Sequence, residues 1–244
     1  GGANPPGCRK MPNERNFIEK SLFDFPDVFA DIFNVLLFSG RQVIEPENLI
    51  SGGTLSQLEI GDDHPSQEWN ACKIWTKNNI RLSLLAIGTR AEQGRDIPLR
   101  VVGYDGAAYE AQVDQHLTAT QLNAPGQTEP ESKPWTPYPV ISIVLYFGKE
   151  KWNGPKTILE YLGQNIREDL KPFVSDYKIN FFDVARLDEA TVSKFQSDFQ
   201  IVADYFVQTR KQAGDDIPSL QNVHHAQEVM SFLRAASGNK GCSD

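Results

Sequence analysis

Few residue patterns in this chain could build an active centre unaided. The histidines are His64, His116 and the adjacent pair His224-His225. Neighbouring residues on a helix point about 100° apart, so the pair is poorly placed to chelate one ion; one ring should pack and the other stay solvated. The three cysteines, Cys8, Cys72 and Cys242, lack Cys-x-x-Cys spacing. That pattern indicates neither a disulfide framework nor a cysteine zinc site, and makes the cytoplasm the expected compartment. No serine sits in a Gly-x-Ser-x-Gly elbow. Phosphate binding relies on clustered cations, whereas the formal net charge here is −8. Yet Lys73, Lys77, Arg81, Arg90, Arg95 and Arg100 fall in one central stretch. They could form a local basic surface, or be solvated charges at alternate strand and helix positions.

The elements that must carry these residues are read from apolar spacing. Val28, Phe29, Ile32, Phe33, Leu36 and Leu37 recur at helical spacing and predict a helix over Asp27–Phe38, capped by Asp24 or Asp27 and ended at Gly40. Trp69–Trp75 and Ile80–Ile87 are β-prone and joined by Lys77-Asn78-Asn79, which predicts a hairpin. Asp96-Ile97-Pro98 reads as the cap and first turn of a helix reaching about His116, with Gly103, Gly106, Ala107 and Ala108 packed on the sheet. Residues 118–139 read as a surface loop. Val140–Phe147 has no polar face, as expected for a central strand covered on both sides. Beyond it follow a helix to about Leu162, a strand over Ile179–Val184, a long helix from Asp188 to about Arg210, and a last helix from about Ser219 to Ala236 carrying His224-His225.

With 40% hydrophobic and 23% charged residues, wholesale disorder is excluded and one domain over residues 16–237 is expected. Residues 1–15 read as an appended or disordered leader, and 238–244 as a flexible tail. No apolar run approaches the length of a membrane span.

Four blocks, FADIFNVLLFSGRQVIEPENL (29–49), DIPLRVVGYDGAAYEAQ (96–112), YPVISIVLYFGKEKWNGP (138–155) and FQIVADYFVQTRK (199–211), resemble successive blocks of the recombination-promoting nuclease (YhgA-like transposase) family. The resemblance implies an α/β fold with a PD-(D/E)XK core, a mixed sheet flanked by helices, and magnesium-dependent cleavage of DNA. Such chemistry needs carboxylates on adjacent strands to hold the hard cation that activates water. In the family an aspartate stands in the first of two neighbouring strands, and a Glu-x-Gln closes the second, before a helix. Carried onto this chain, those positions are Asn70, Gly88 and Arg90. Asn70 offers an oxygen without charge, Gly88 offers nothing, and Arg90 opposes a cation while suiting a phosphate.

Glu68 and Glu92, each two residues from a lost position, are candidates for relocated carboxylates. Lys73, Arg90 and Arg100 are the candidate DNA contacts. Three functional classes follow. The first is an inactive nuclease relative that needs no metal and binds double-stranded DNA or a protein partner such as an active paralogue. The second is a working magnesium-dependent nuclease with relocated carboxylates, and the third is a protein-interaction module.

Overall fold

The computed structural model describes residues 22–52, 70–91, 93–122, 135–211 and 222–237. The order is α1 (Pro26–Leu36), β1 (Leu49–Ser51), β2 (Ala71–Lys77), β3 (Ile80–Arg90), α2 (Ile97–Leu122), β4 (Val140–Tyr146), α3 (Ile158–Leu162), β5 (Asn180–Asp183), α4 (Glu189–Val192), α5 (Phe199–Lys211) and α6 (Ala226–Ser237). The strands form one mixed sheet in the order β1-β2-β3-β4-β5. The first three are antiparallel, while β3–β4 and β4–β5 are parallel. Parallel neighbours require a crossover, and α2 supplies the one between β3 and β4.

Both faces of the sheet are covered. Leu85 and Ile87 of β3 and Ile143 and Leu145 of β4 join Phe29, Phe33, Phe199, Phe206 and Phe232 in the main core, on the side of α1, α5 and α6. On the other side Leu84, Ala86, Val140 and Val144 meet Ile97, Val101, Tyr104 and Ala108 of α2. This double burial explains why β4 shows no polar alternation. It is interior, between β3 and β5, with β3 at the exact middle of the order.

The β2–β3 turn has two central residues, Asn78 and Asn79, both in the left-handed region at φ 51° and 62°. Two-residue hairpins favour such turns because their twist matches that of the strands, and asparagine tolerates the geometry. Farther along, Trp75 pairs with Ser83 but Thr76 pairs with Arg81, so Leu82 is an extra residue: a β-bulge.

Several sequence expectations need correction. The N-cap of α1 is Phe25, which makes no side-chain cap; Pro26 occupies the first turn, and Asp27 instead faces His225 Nε2 at 3.1 Å. The long helix over Asp188–Arg210 is two helices. Asp31 of α1, 5% exposed, accepts from the N–H groups of Gln196 (2.8 Å) and Ser197 (2.7 Å), so those donors satisfy themselves outside a continuous helix. His224 and His225 precede α6 rather than lie on it; His225 stacks on Phe25 while His224 is exposed. Helix α2 extends to Leu122, and Gly106 is exposed with open space around it rather than packed on the sheet. The expected leader, tail and most of the Thr118–Pro139 loop lie outside the described residues. Among the described residues no helix is long and apolar enough to cross a membrane.

Asn78→Val should destabilise the protein by about 1–2 kcal/mol, because a β-branched residue resists the left-handed conformation. Asn78→Gly should be tolerated. Urea denaturation of the two variants checks this, and equal midpoints would show that the turn differs.

Candidate functional site

Residues that the sequence separates by up to twenty positions meet where β2 begins and β3 ends. Ala71 pairs with Ile87, so Asn70, the residue before β2, lies beside Gly88. Its N–H donates to the Ile87 carbonyl at 2.9 Å, and its Oδ1 accepts from the Thr89 N–H at 2.6 Å. Asn70 therefore brackets Gly88 from both sides. It is 6% exposed, and its amide oxygen satisfies a buried backbone donor of β3.

Gly88 and Arg90 follow Leu84 and Ala86 in the two-residue alternation, which turns both toward α2. Arg90 Nη1 donates to the Thr89 carbonyl at 2.6 Å. Burial pushes the Tyr104 hydroxyl above its ordinary range, while Arg90 and Arg100 pull it back, so both guanidinium groups act on that one ring. Arg100 also pairs with Asp96 at 2.5 Å across one turn of α2.

Not every candidate joins this cluster. Lys73 alternates onto the opposite face, where its Nζ lies 5.6 Å from the Phe29 ring centroid, and burial lowers its pKa. It pairs with Leu85, a residue of the α1-side core, so the period-two rule that groups Gly88 with Arg90 excludes Lys73. Glu68 and Glu92 lie outside the described residues. Among the described residues no three His, Cys, Asp or Glu side chains gather closely enough to hold a metal ion. Cys72 is buried, its thiol pushed up to about 12, which leaves it unreactive.

The ends of β4 and β5 complete this edge. Tyr146 accepts from Gln93 Nε2 (3.1 Å) and donates to the Glu150 carbonyl (2.9 Å). Trp152 packs on Tyr146 and Phe181 with ring centroids 5.2 and 4.8 Å apart. A Cβ at Gly154 would lie 2.5 Å from the Trp152 ring, so the glycine of this Trp-Asn-Gly-Pro turn is required by close approach. Asp183 pairs with Arg186 at 3.2 Å and accepts from the Trp152 N–H at 3.3 Å.

No family model, curated protein or solved structure matches this chain.

One polar centre was not anticipated from sequence. Asp105 of α2, 2% exposed, accepts from Ser142 Oγ of β4 at 3.0 Å and from the Tyr177 hydroxyl, while its Oδ1 is buried without a partner. The Tyr104-Asp105-Gly106 block reads as helix packing, and only a carboxylate lying within a stretch of small and apolar helix residues signals more. Burial raises the Asp105 carboxyl above its usual range, against the pull of its two hydroxyl donors.

A carboxyl whose folded pKa is raised stabilises the fold fully below its unfolded value and loses that contribution as pH rises through the folded value. Asp105→Asn, which imitates the protonated acid, should therefore raise the melting temperature at pH 8 and lose that advantage as pH falls toward the ordinary aspartate range. Thermal denaturation across pH 4–8 checks it; a variant less stable at pH 8 than at pH 4, relative to the natural protein, contradicts it.

Proposed function

We propose that this chain is a nuclease-fold protein of the PD-(D/E)XK type that has lost its metal site and binds double-stranded DNA without cleaving it. The carrying observation is the convergence of Asn70, Gly88 and Arg90 at the ends of two adjacent strands, immediately before α2. That is the juxtaposition which the resemblance to recombination-promoting nucleases requires of its aspartate and Glu-x-Gln.

The residues at these positions do not fit magnesium. A hard divalent cation selects several oxygen ligands, preferably charged. Asn70 Oδ1 is already committed to the Thr89 N–H, Gly88 has no side chain, and Arg90 brings positive charge. The same substitutions favour a phosphate. Arg90 and Arg100 act together beside Tyr104, and an arginine fork suits phosphate oxygens. Binding at such a patch stays local, since a chain of net charge −8 repels DNA elsewhere.

With magnesium or manganese the natural protein should leave plasmid DNA intact, yet bind a short duplex at low salt, and Arg90→Gln should weaken that binding several-fold. The triple reversion Asn70→Asp, Gly88→Glu, Arg90→Gln, checked by circular dichroism for folding, is the candidate for regained cleavage. Cleavage by the natural protein that disappears in Glu68→Gln or Glu92→Gln would favour relocated carboxylates instead. Absence of DNA binding at low salt would favour a protein-interaction role.

A further inference from the structure

A cleft of about 440 Å³ opens at the other end of the α2 face, between the β2–β3 turn, the second half of α2 and the segment entering β4. That volume lies within the range of roughly 300–1,000 Å³ usual for small-ligand sites. Arg81 and Arg90 are nine positions apart on β3, about 30 Å along a strand, so the cleft is distinct from the edge described above.

Its polar lining is built rather than incidental. Strict alternation would place Arg81 with Ser83, Leu85 and Ile87, toward α1. The bulge at Leu82 reverses this: Arg81 pairs with Thr76, which shares its face with Ile74 and Leu84, so the guanidinium turns toward α2 and into the cleft. Bulges re-aim side chains in this way at functional sites. Among the described residues nothing pairs with the Arg81 side chain, and no carboxylate lines the cleft.

The opposite wall is aromatic. Trp135 stacks on His116 with ring centroids 4.2 Å apart and planes 3° from parallel, yet remains 43% exposed. Its segment is strapped to α2 at two points, because Gln112 accepts from the Tyr138 N–H (2.9 Å) and donates to the Tyr138 carbonyl (3.2 Å). Tyr109 Oη accepts from the Val140 N–H at 3.0 Å. Asn79 and Gln115 complete the lining, and among the described residues the Tyr138 hydroxyl at its wall is buried without a partner.

We infer that this cleft binds a nucleotide, its base stacked on Trp135 and its phosphate held by Arg81, with the amides of Asn79 and Gln115 at the base edge. A flat aromatic platform beside a guanidinium that no described residue pairs with matches a planar ring joined to an anion, and amide side chains can serve either donor or acceptor edges of a base. The nucleotide is either free or an unstacked residue of a single strand; both present the same chemistry.

Calorimetric titration of the full chain with deoxyadenosine monophosphate, adenosine, inorganic phosphate and a (dA)8 oligonucleotide tests this. The monophosphate should bind at least ten-fold more tightly than adenosine or phosphate alone. Arg81→Gln should weaken the monophosphate ten-fold or more while sparing adenosine, and Trp135→Ala should weaken both; each side chain is exposed, so folding is retained. Arg90→Gln, expected to weaken duplex binding, should leave the affinity for the monophosphate unaltered, which separates this site from the proposed DNA-binding edge. Tighter binding of (dA)8 through Arg81 and Trp135 identifies a strand as the source, and equal binding identifies a free nucleotide. The inference is overturned if neither the monophosphate nor (dA)8 binds at millimolar concentration, if phosphate alone binds as well as the monophosphate, or if binding survives both Arg81→Gln and Trp135→Ala.

Discussion

The register of one hairpin decides which side chains of this protein can act together. A strand exposes alternate residues to opposite faces, so a slip of one position would exchange every α1-facing residue for an α2-facing one. The left-handed Asn78-Asn79 turn sets the pairing at one end, and the Ala71–Ile87 pair carries it to the other, where Asn70 comes to rest beside Gly88. The bulge at Leu82 breaks the alternation once, and only the residues before it, Arg81 among them, change face. Two separate polar regions on the α2 side thus depend on a single pairing.

Buried polar groups then hold the surrounding elements to that frame. Asn34, fully buried, ties the end of α1 to the following chain: its Oδ1 accepts from the N–H groups of Val43 and Ile44, and its amide donates to the Ile44 carbonyl. Asp31 captures the start of α5, Gln112 straps the entrance to β4, and Asn70 satisfies Thr89. An unpaired buried polar group costs about 1–3 kcal/mol, so each of these contacts specifies geometry more strongly than its net contribution to stability would indicate. Asn70 in particular belongs to the backbone network, and a side chain in that role is poorly disposed as a cation ligand.

Much of the architecture is legible in the sequence because apolar period and turn chemistry agree. The β2–β3 hairpin, the β4 strand without a polar face and the helix after Asp96 all follow from local pattern. The break between α4 and α5 does not, since the apolar stripe through Val192, Phe195, Phe199 and Val202 is continuous and the interruption comes from Asp31, distant in sequence. Lys73 and Arg90 are cations of one stretch, and only the pairing register assigns them to opposite faces. Asp105 was hidden for a related reason. A carboxylate within a helix reads as solvated until the strand it packs against, with Ser142, is known. The cleft depends on a bulge and on a segment brought back from beyond α2, neither of which leaves a local signature.

The proposed binding without cleavage requires that the Asn70–Gly88–Arg90 edge hold no divalent cation. Paramagnetic broadening of backbone amide signals by manganese, followed by nuclear magnetic resonance on the natural protein, tests it most directly. The Asn70, Thr89 and Arg90 amides should be broadened no more than those of exposed residues up to millimolar manganese. Selective broadening of these three at micromolar manganese would contradict it and place a working metal centre at the end of β3.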